Sequence, residues 1–173
     1  MKKILVILSV FLLLCGCGKS SSENVLNKFV KKLESVKSYN LKGTMSIVSN
    51  EDTFTYDVEA SKSKDGYYKV SLINKINNHE QVILKNKDGV YVVTPDLNKS
   101  FKFQSDWPND NSQIYLLDAL LNDISNDKEH KFTKGDKEFE FITKVNYPNN
   151  SKLVNQKIVF DDKYKLKSVE VYN

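Results

Sequence analysis

The residues of this chain with the chemistry for catalysis or metal binding are two histidines, two cysteines and a scatter of carboxylates. Nucleophilic catalysis needs a serine or cysteine held beside a base, and His79 and His130 are the bases on offer. Each sits in a charged, turn-like stretch, Asn78-His79-Glu80 and Glu129-His130-Lys131, the setting of a solvated surface histidine. A zinc site wants histidine, cysteine and carboxylate at fixed spacing, which no segment supplies. Asp106, Asp110, Asp118 and Asp123 are dispersed, without the regular spacing or closing glutamate of a calcium loop, and read as loop and cap chemistry. Asp161 and Asp162 are adjacent, so their carboxylates point apart; with Lys163 they read as a hairpin turn. Glu138 and Glu140 share a strand face with lysine neighbours, a solvated pattern. There is no glycine-rich phosphate loop and no dinucleotide fingerprint. The expectation is a protein that is not an enzyme and carries no cofactor and no metal.

Composition narrows the class further. The chain has 173 residues, 40% of them hydrophobic and 28% charged, enough for one core and one ordinary domain. Its 26 basic residues are all lysine, against 22 acidic ones, for a formal net charge of +4. Lysine supplies a point charge where arginine supplies a planar fork, which weakens phosphate and nucleic-acid readings. Nine phenylalanines and nine tyrosines spread along the chain argue against disorder.

The N-terminus says where the protein lives. Lys2 and Lys3 form a basic start, Ile4 to Leu14 an apolar run interrupted by Ser9, and the run stops at Leu14-Cys15-Gly16-Cys17. This is the pattern of a signal peptide over residues 1–16, too short for a spanning helix. Leu14-Cys15-Gly16-Cys17 resembles the bacterial lipobox; the alternative is an ordinary secretory signal with two incidental cysteines. The resemblance implies that Cys17 becomes the acylated first residue of the mature chain. It would then hold the protein on the extracytoplasmic face of the cell membrane, with Cys15 leaving in the signal peptide. With its remaining cysteine acylated, the mature chain has no disulfide or thiol chemistry. The expected organisation is a removed signal peptide 1–16, a lipidated tether 17–22 and a domain 23–173.

The elements that follow are antiparallel strands and two helices. Val25, Leu26, Phe29, Val30, Leu33 and Val36 recur at helical period behind a capping-box sequence, predicting a helix over Ser21 to Lys37 whose outer face carries Lys28, Lys31, Lys32 and Lys37. Those lysines mark a solvated face, or one that touches an anionic membrane near the anchor. From Tyr39 the period becomes two, predicting strands over 39–48, 53–62, 67–74, 80–85, 90–94, 100–104, 131–133, 138–145, 153–160 and 165–172. Asp65-Gly66, Asp88-Gly89 and Gly135-Asp136 punctuate them as hairpin signals, and Pro95, Pro108 and Pro148 fall in connections. Asn111 or Ser112 can cap a helix over Gln113 to Ile124, with Ile114, Leu117, Leu121 and Ile124 in one stripe. The expected fold is α+β: one large twisted antiparallel sheet of about ten strands with helices on one face.

The order of these elements, the run Asp88-Gly89-Val90-Tyr91-Val92-Val93-Thr94-Pro95, the aromatics Phe101 and Phe103, the helix from Gln113, and Ile158-Val159-Phe160-Asp161 together resemble the LolA-like lipoprotein carrier superfamily. That resemblance implies an unclosed antiparallel β-barrel with helices over its concave face, incomplete here at the C-terminal end. Within the superfamily, the lipobox, the lysine and asparagine bias and the segment from Asn111 to Leu117 are most similar to the clostridial germination lipoprotein GerS and its relatives. This implies a tethered, non-catalytic accessory protein of sporulation or germination that binds and assists a cortex-modifying amidase. Two features count against a diffusing carrier: an acylated Cys17 would confine the protein to its membrane, and the arginine such carriers use is missing from this chain.

The expected function is therefore a membrane-anchored partner or activator of a cell-envelope enzyme. The alternative is a carrier of lipid or another hydrophobic small molecule. Tyr39, Leu41, Met45, Ile47, Phe54, Tyr56 and Val58 are the candidates for lining a ligand cavity, unless the concavity is filled by the protein's own helices. Trp107, in the connection Asp106-Trp107-Pro108, is a candidate partner contact or a plug closing one end of the core.

Overall fold

A computed structural model describes residues 20–49, 52–108, 112–147, 152 and 154–172. Helical spacing of apolar residues gives α1 (Ser20–Glu34), whose Phe29 and Leu33 are 0% and 4% exposed. It ends three residues before the predicted Lys37: Val36 N–H donates to Leu33 O at 3.0 Å, and Tyr39 already begins a strand. None of the described helices is long and apolar enough to cross a membrane.

Ten antiparallel strands follow the period-two segments closely: β1 (Tyr39–Ser49), β2 (Asp52–Lys62), β3 (Tyr68–Asn74), β4 (Glu80–Asn86), β5 (Gly89–Thr94), β6 (Lys99–Phe103), β7 (Lys131–Lys134), β8 (Glu138–Lys144), β9 (Asn155–Asp161) and β10 (Leu166–Tyr172). The hairpin chemistry operates as expected. Gly89, at φ 139, opens β5 opposite Asn86, and the Asp88 amide donates to Asn86 Oδ1 at 2.9 Å. Asp161 Oδ1 accepts from the Lys163 and Lys165 amides at 2.9 and 2.8 Å, fixing the β9–β10 turn. Pro148 lies outside the described residues.

One expectation is corrected. The strands form not one sheet but two, a six-stranded sheet in the order β1-β2-β3-β4-β5-β6 and a four-stranded sheet in the order β10-β9-β8-β7. The reason is α2 (Leu117–Asn126), which lies between β6 and β7 in sequence and is apolar on two sides. Leu117, Leu120, Leu121 and Ile124 join Phe29, Leu33, Phe139, Phe141, Ile158 and Phe160 in one core against the four-stranded sheet. Leu116 and Ala119 join Ala60, Val70, Val90 and Trp107 in a second core against the six-stranded sheet. A helix that buries both flanks this way separates the sheets. The described residues form an α+β fold with no closed barrel.

The first core is aromatic. The Phe29 ring lies 5.0 Å from those of Phe139, Phe141 and Phe160 and 5.3 Å from that of Tyr164. Burying one phenylalanine contributes about 1.5–3 kcal/mol, so Phe29 is the main attachment of α1.

α2 also starts later than predicted. Its first residue is Leu117, and the residue before it, Leu116, makes no side-chain cap. Ser112, the predicted cap, instead donates its hydroxyl to Asp123 Oδ1 at 2.8 Å, a longer-range bond made from the same donor. Asn111, the other predicted cap, lies outside the described residues.

Candidate functional site

The β1–β2 register places Leu41 opposite Ala60, Met45 opposite Tyr56 and Ile47 opposite Phe54, so all seven cavity candidates share the inward face of the six-stranded sheet. They do not share one environment. Tyr39 and Leu41 pack on the first core. Leu41, Met45 and Val58, with Gly43, Ala60, Ile114, Tyr115, Leu166 and Val169 and the polar Lys42, Thr44, Lys167 and Ser168, line a cleft of about 200 Å³ between the edges of β1 and β10. Tyr56 is half-buried, while Ile47 and Phe54 are 46% and 40% exposed at the far end of the hairpin. Burial pushes the Tyr115 phenol up to about 12, so it stays neutral in the cleft wall.

Two carboxylates of α2, read from sequence as loop and cap chemistry, reach across the molecule instead. Asp118 binds the Lys62 ammonium through Oδ1 and accepts from the Tyr39 hydroxyl at 3.0 Å through Oδ2, tying α2 to β1 and β2. Burial and the neighbouring Asp118 charge both raise the Tyr39 pKa. Burial alone would lower that of Lys62, but the hydrogen bond and charge of Asp118 outweigh it and the net shift is upward. Asp123 accepts from Ser112 Oγ and from Gln156 Nε2 at 3.0 Å, tying α2 to β9. Burial raises the Asp123 pKa, and these two hydrogen bonds pull it back in part. Opposite Gln156 in the β8–β9 ladder, Thr143 has a buried hydroxyl without a partner among the described residues.

Sequence did carry a signal for the Asp123 site. Gln156 alternates with Ile158 and Phe160 on the inward face of β9 and is 0% exposed. A glutamine in such a position requires a partner from the element packed above it.

Among the described residues no group of histidine, cysteine and carboxylate could hold a metal ion. His79 is exposed, with Nδ1 2.8 Å from Asp96 Oδ2, and its contact lowers the Asp96 pKa. His130 is half-buried rather than fully solvated; its Nδ1 lies 2.6 Å from Asp127 O and its ring 6.3 Å from that of Phe141. Asp110 lies outside the described residues. Glu138 and Glu140 pair with Lys167 and Lys157 at 3.3 and 2.7 Å across the four-stranded sheet.

Trp107 is 7% exposed, and its ring meets Tyr68 edge-on at 5.7 Å while its carbonyl accepts from Lys85 Nζ at 2.6 Å. The structure thus places it as a plug in the second core. Two exposed aromatics lie on β6, the outer edge of the six-stranded sheet: Phe101 and Phe103 are 56% and 47% exposed, paired across the ladder with Val92 and Val90. Cys17 lies outside the described residues.

These features define a two-sheet α+β protein that offers a small, partly apolar cleft and an exposed aromatic sheet edge. No protein-family model matches the chain. It is 41% identical over 152 residues, or 88% of its length, to a Bacillus subtilis (strain 168) protein named sporulation protein YdcC, and it spans 45% of the length of that relative. Among solved structures it is similar to a chain in the structure of the CwlD amidase from Clostridioides difficile in complex with the GerS lipoprotein. That alignment covers 89% of this chain and 87% of the other, with a TM-score of 0.45 and 18% identity.

Proposed function

We propose that the protein is a non-catalytic partner of a cell-envelope amidase in sporulation, held at the membrane by an acylated Cys17. The observation that carries this reading is the β6 edge, where Phe101 and Phe103 stand exposed on a strand with one unpaired side. Natural sheet edges are kept short, charged or covered, because an apolar edge recruits other strands. An edge bearing two exposed aromatics suits addition of an extended partner segment, with main-chain hydrogen bonds giving affinity and side-chain contacts giving specificity. Lys99 and Lys102 are the charged residues of the strand, so the segment would carry acidic side chains beside its apolar ones. The 41% identity to a protein named for sporulation supports the cellular setting, and the lipobox resemblance supports the anchor.

The test is affinity capture of the anchored protein from solubilised envelopes of sporulating cells, with mass spectrometry of the proteins and lipids recovered. The expected result is an amidase in stoichiometric amount, reduced about tenfold or more when Phe101→Asp and Phe103→Asp are combined, as for paired hot-spot residues. Undiminished amidase capture by that variant would reject the β6 edge, and capture of a defined lipid with no protein would reject the partner reading.

The cleft between β1 and β10 favours a second reading, a hydrophobic ligand held in the concavity. Its volume of about 200 Å³ falls below the roughly 300–1,000 Å³ of small-molecule sites. It would hold part of an acyl chain, with the remainder outside.

A further inference from the structure

The fold gathers lysines that are far apart in sequence onto one end of the four-stranded sheet. The amide of Asp162, in the β9–β10 turn, donates to Lys137 O in the β7–β8 turn at 3.0 Å, so the two turns lie side by side. α1 is joined to them at Tyr164, whose ring meets Phe29 and carries the Lys32 ammonium 4.2 Å from its centre. On this end Lys28, Lys31, Lys134, Lys137, Lys163 and Lys165 are exposed, and none of the six takes part in an ion pair among the described residues. Of the acidic groups nearby, Glu138 pairs with Lys167, while Asp136, Asp161 and Asp162 in the turns and Glu34 at the end of α1 keep charges that offset the six lysines in part.

From this arrangement we infer that the end of the protein formed by α1 and the β7–β8 and β9–β10 turns rests on the anionic headgroups of the membrane. The inference rests on the reading of Cys17 as the anchor. Phe29 lies nine residues from Ser20, about 13 Å along α1 at 1.5 Å per residue, and residues 17–19 add at most about 10 Å of extended chain. An acyl group on Cys17 therefore keeps this end within about 25 Å of the headgroups. A tether of that reach lets the lysines come within a Debye length of an anionic leaflet, about 8 Å at physiological salt, where each strengthens binding a few-fold. The geometry also sets which face is left for a partner. β6 stands five strand spacings from β1, roughly 24 Å across the six-stranded sheet, while the lysine end belongs to the other sheet. Membrane contact at the turns leaves Phe101 and Phe103 accessible.

The experiment uses the full chain with Cys17→Ser, so that no acyl group contributes, sedimented with vesicles of phosphatidylcholine alone or with about one-third phosphatidylglycerol. Binding common to both vesicles reads the apolar leader; the excess on anionic vesicles reads the lysine end. The expected excess falls as salt rises. It drops on the order of a hundredfold when Lys28, Lys31, Lys163 and Lys165 are changed together to Gln. A control with Lys64, Lys69, Lys87 and Lys128 changed to Gln removes the same charge elsewhere and retains the excess. Absence of any anionic excess, or an equal loss in both variants, would overturn the proposal. The anchor is read separately from the mass of the wild-type chain extracted from membranes. An unacylated Cys17 with lysine-dependent binding intact would sink the anchor and support the lysine surface.

Discussion

Replacing Asp123 by alanine removes the acceptor of two buried donors. Ser112 and Gln156 are 6% and 0% exposed, and their bonds to the carboxylate are 2.8 and 3.0 Å long. A hydrogen bond to a charged group contributes about 1.5–3 kcal/mol, and a buried donor left unpaired costs about 1–3 kcal/mol. Part of this is offset because burial already disfavours the ionised carboxylate, as its raised pKa shows. The net loss for Asp123→Ala is therefore about 2–4 kcal/mol, and it would move the urea midpoint by roughly 1–2 M at an ordinary slope. Asp123→Asn keeps the shape and one acceptor. Gln156 need only turn its amide, giving up a 3.4 Å bond from the Tyr147 hydroxyl, so the loss at pH 7 is under about 1 kcal/mol. The pH dependence has a definite sign. A carboxyl whose folded pKa is raised binds its proton more tightly when folded, so wild type gains stability relative to Asp123→Asn as pH falls from neutral through the raised pKa towards the ordinary aspartate value of 3.8. Urea melts of the three proteins at pH 7 and near pH 4.5 test this. Equal stabilities for the alanine and asparagine variants, or a wild-type advantage that shrinks on acidification, would refute the assignment.

Trp107 is the single tryptophan and is 7% exposed, so native fluorescence should be blue-shifted and resist acrylamide quenching; emission like that of free indole would place the ring outside the core. Phe29→Ala empties the centre of the aromatic cluster and should cost about 3–5 kcal/mol in chemical denaturation, with loss of the helical signal of α1 before the strands melt. Gly89→Ala combines a φ of 139 with a Cβ 2.9 Å from Lys102 Cε; the backbone term alone should cost about 1–3 kcal/mol, which melting of the Lys102→Ala double variant would separate from the contact.

The strands and their turns were legible because their signals are local. Alternation from Tyr39 and the polar turns fix each hairpin within a residue or two of its observed ends, and consecutive strands pair with their neighbours. Alternation does not say whether β6 and β7 lie in the same sheet, and here they do not, because α2 buries Leu120 in one core and Ala119, beside the preceding Leu116, in the other. The start of α2 was misplaced for a related reason. A serine before an apolar stripe reads as a cap when its neighbours in sequence are the only partners considered, yet the Ser112 hydroxyl is taken by Asp123, eleven residues on. Of the cavity candidates, the shared face was readable from parity, but the exposure of Ile47 and Phe54 depends on where the helices end, which parity cannot give.

The two carboxylates explain how α2 links sheets whose described strands pair within their own sheet and not with each other. Apolar contacts attach α2 to both sheets but, being non-directional, would let it slide or roll between them. Asp118 and Asp123 lie five residues apart, about 1.4 turns of helix, and so point to opposite flanks. One is held by Lys62 and Tyr39 of the six-stranded sheet and the other by Gln156 of the four-stranded sheet. Hydrogen bonds with defined directions on both sides fix the rotation of α2 about its axis, and with it the separation of the β1 and β10 edges that leaves the cleft open. Loosening either clip should therefore alter the cleft and the angle between the sheets before it unfolds either sheet. This distinguishes a polar clip from an ordinary core contact, whose loss would be felt mainly in stability.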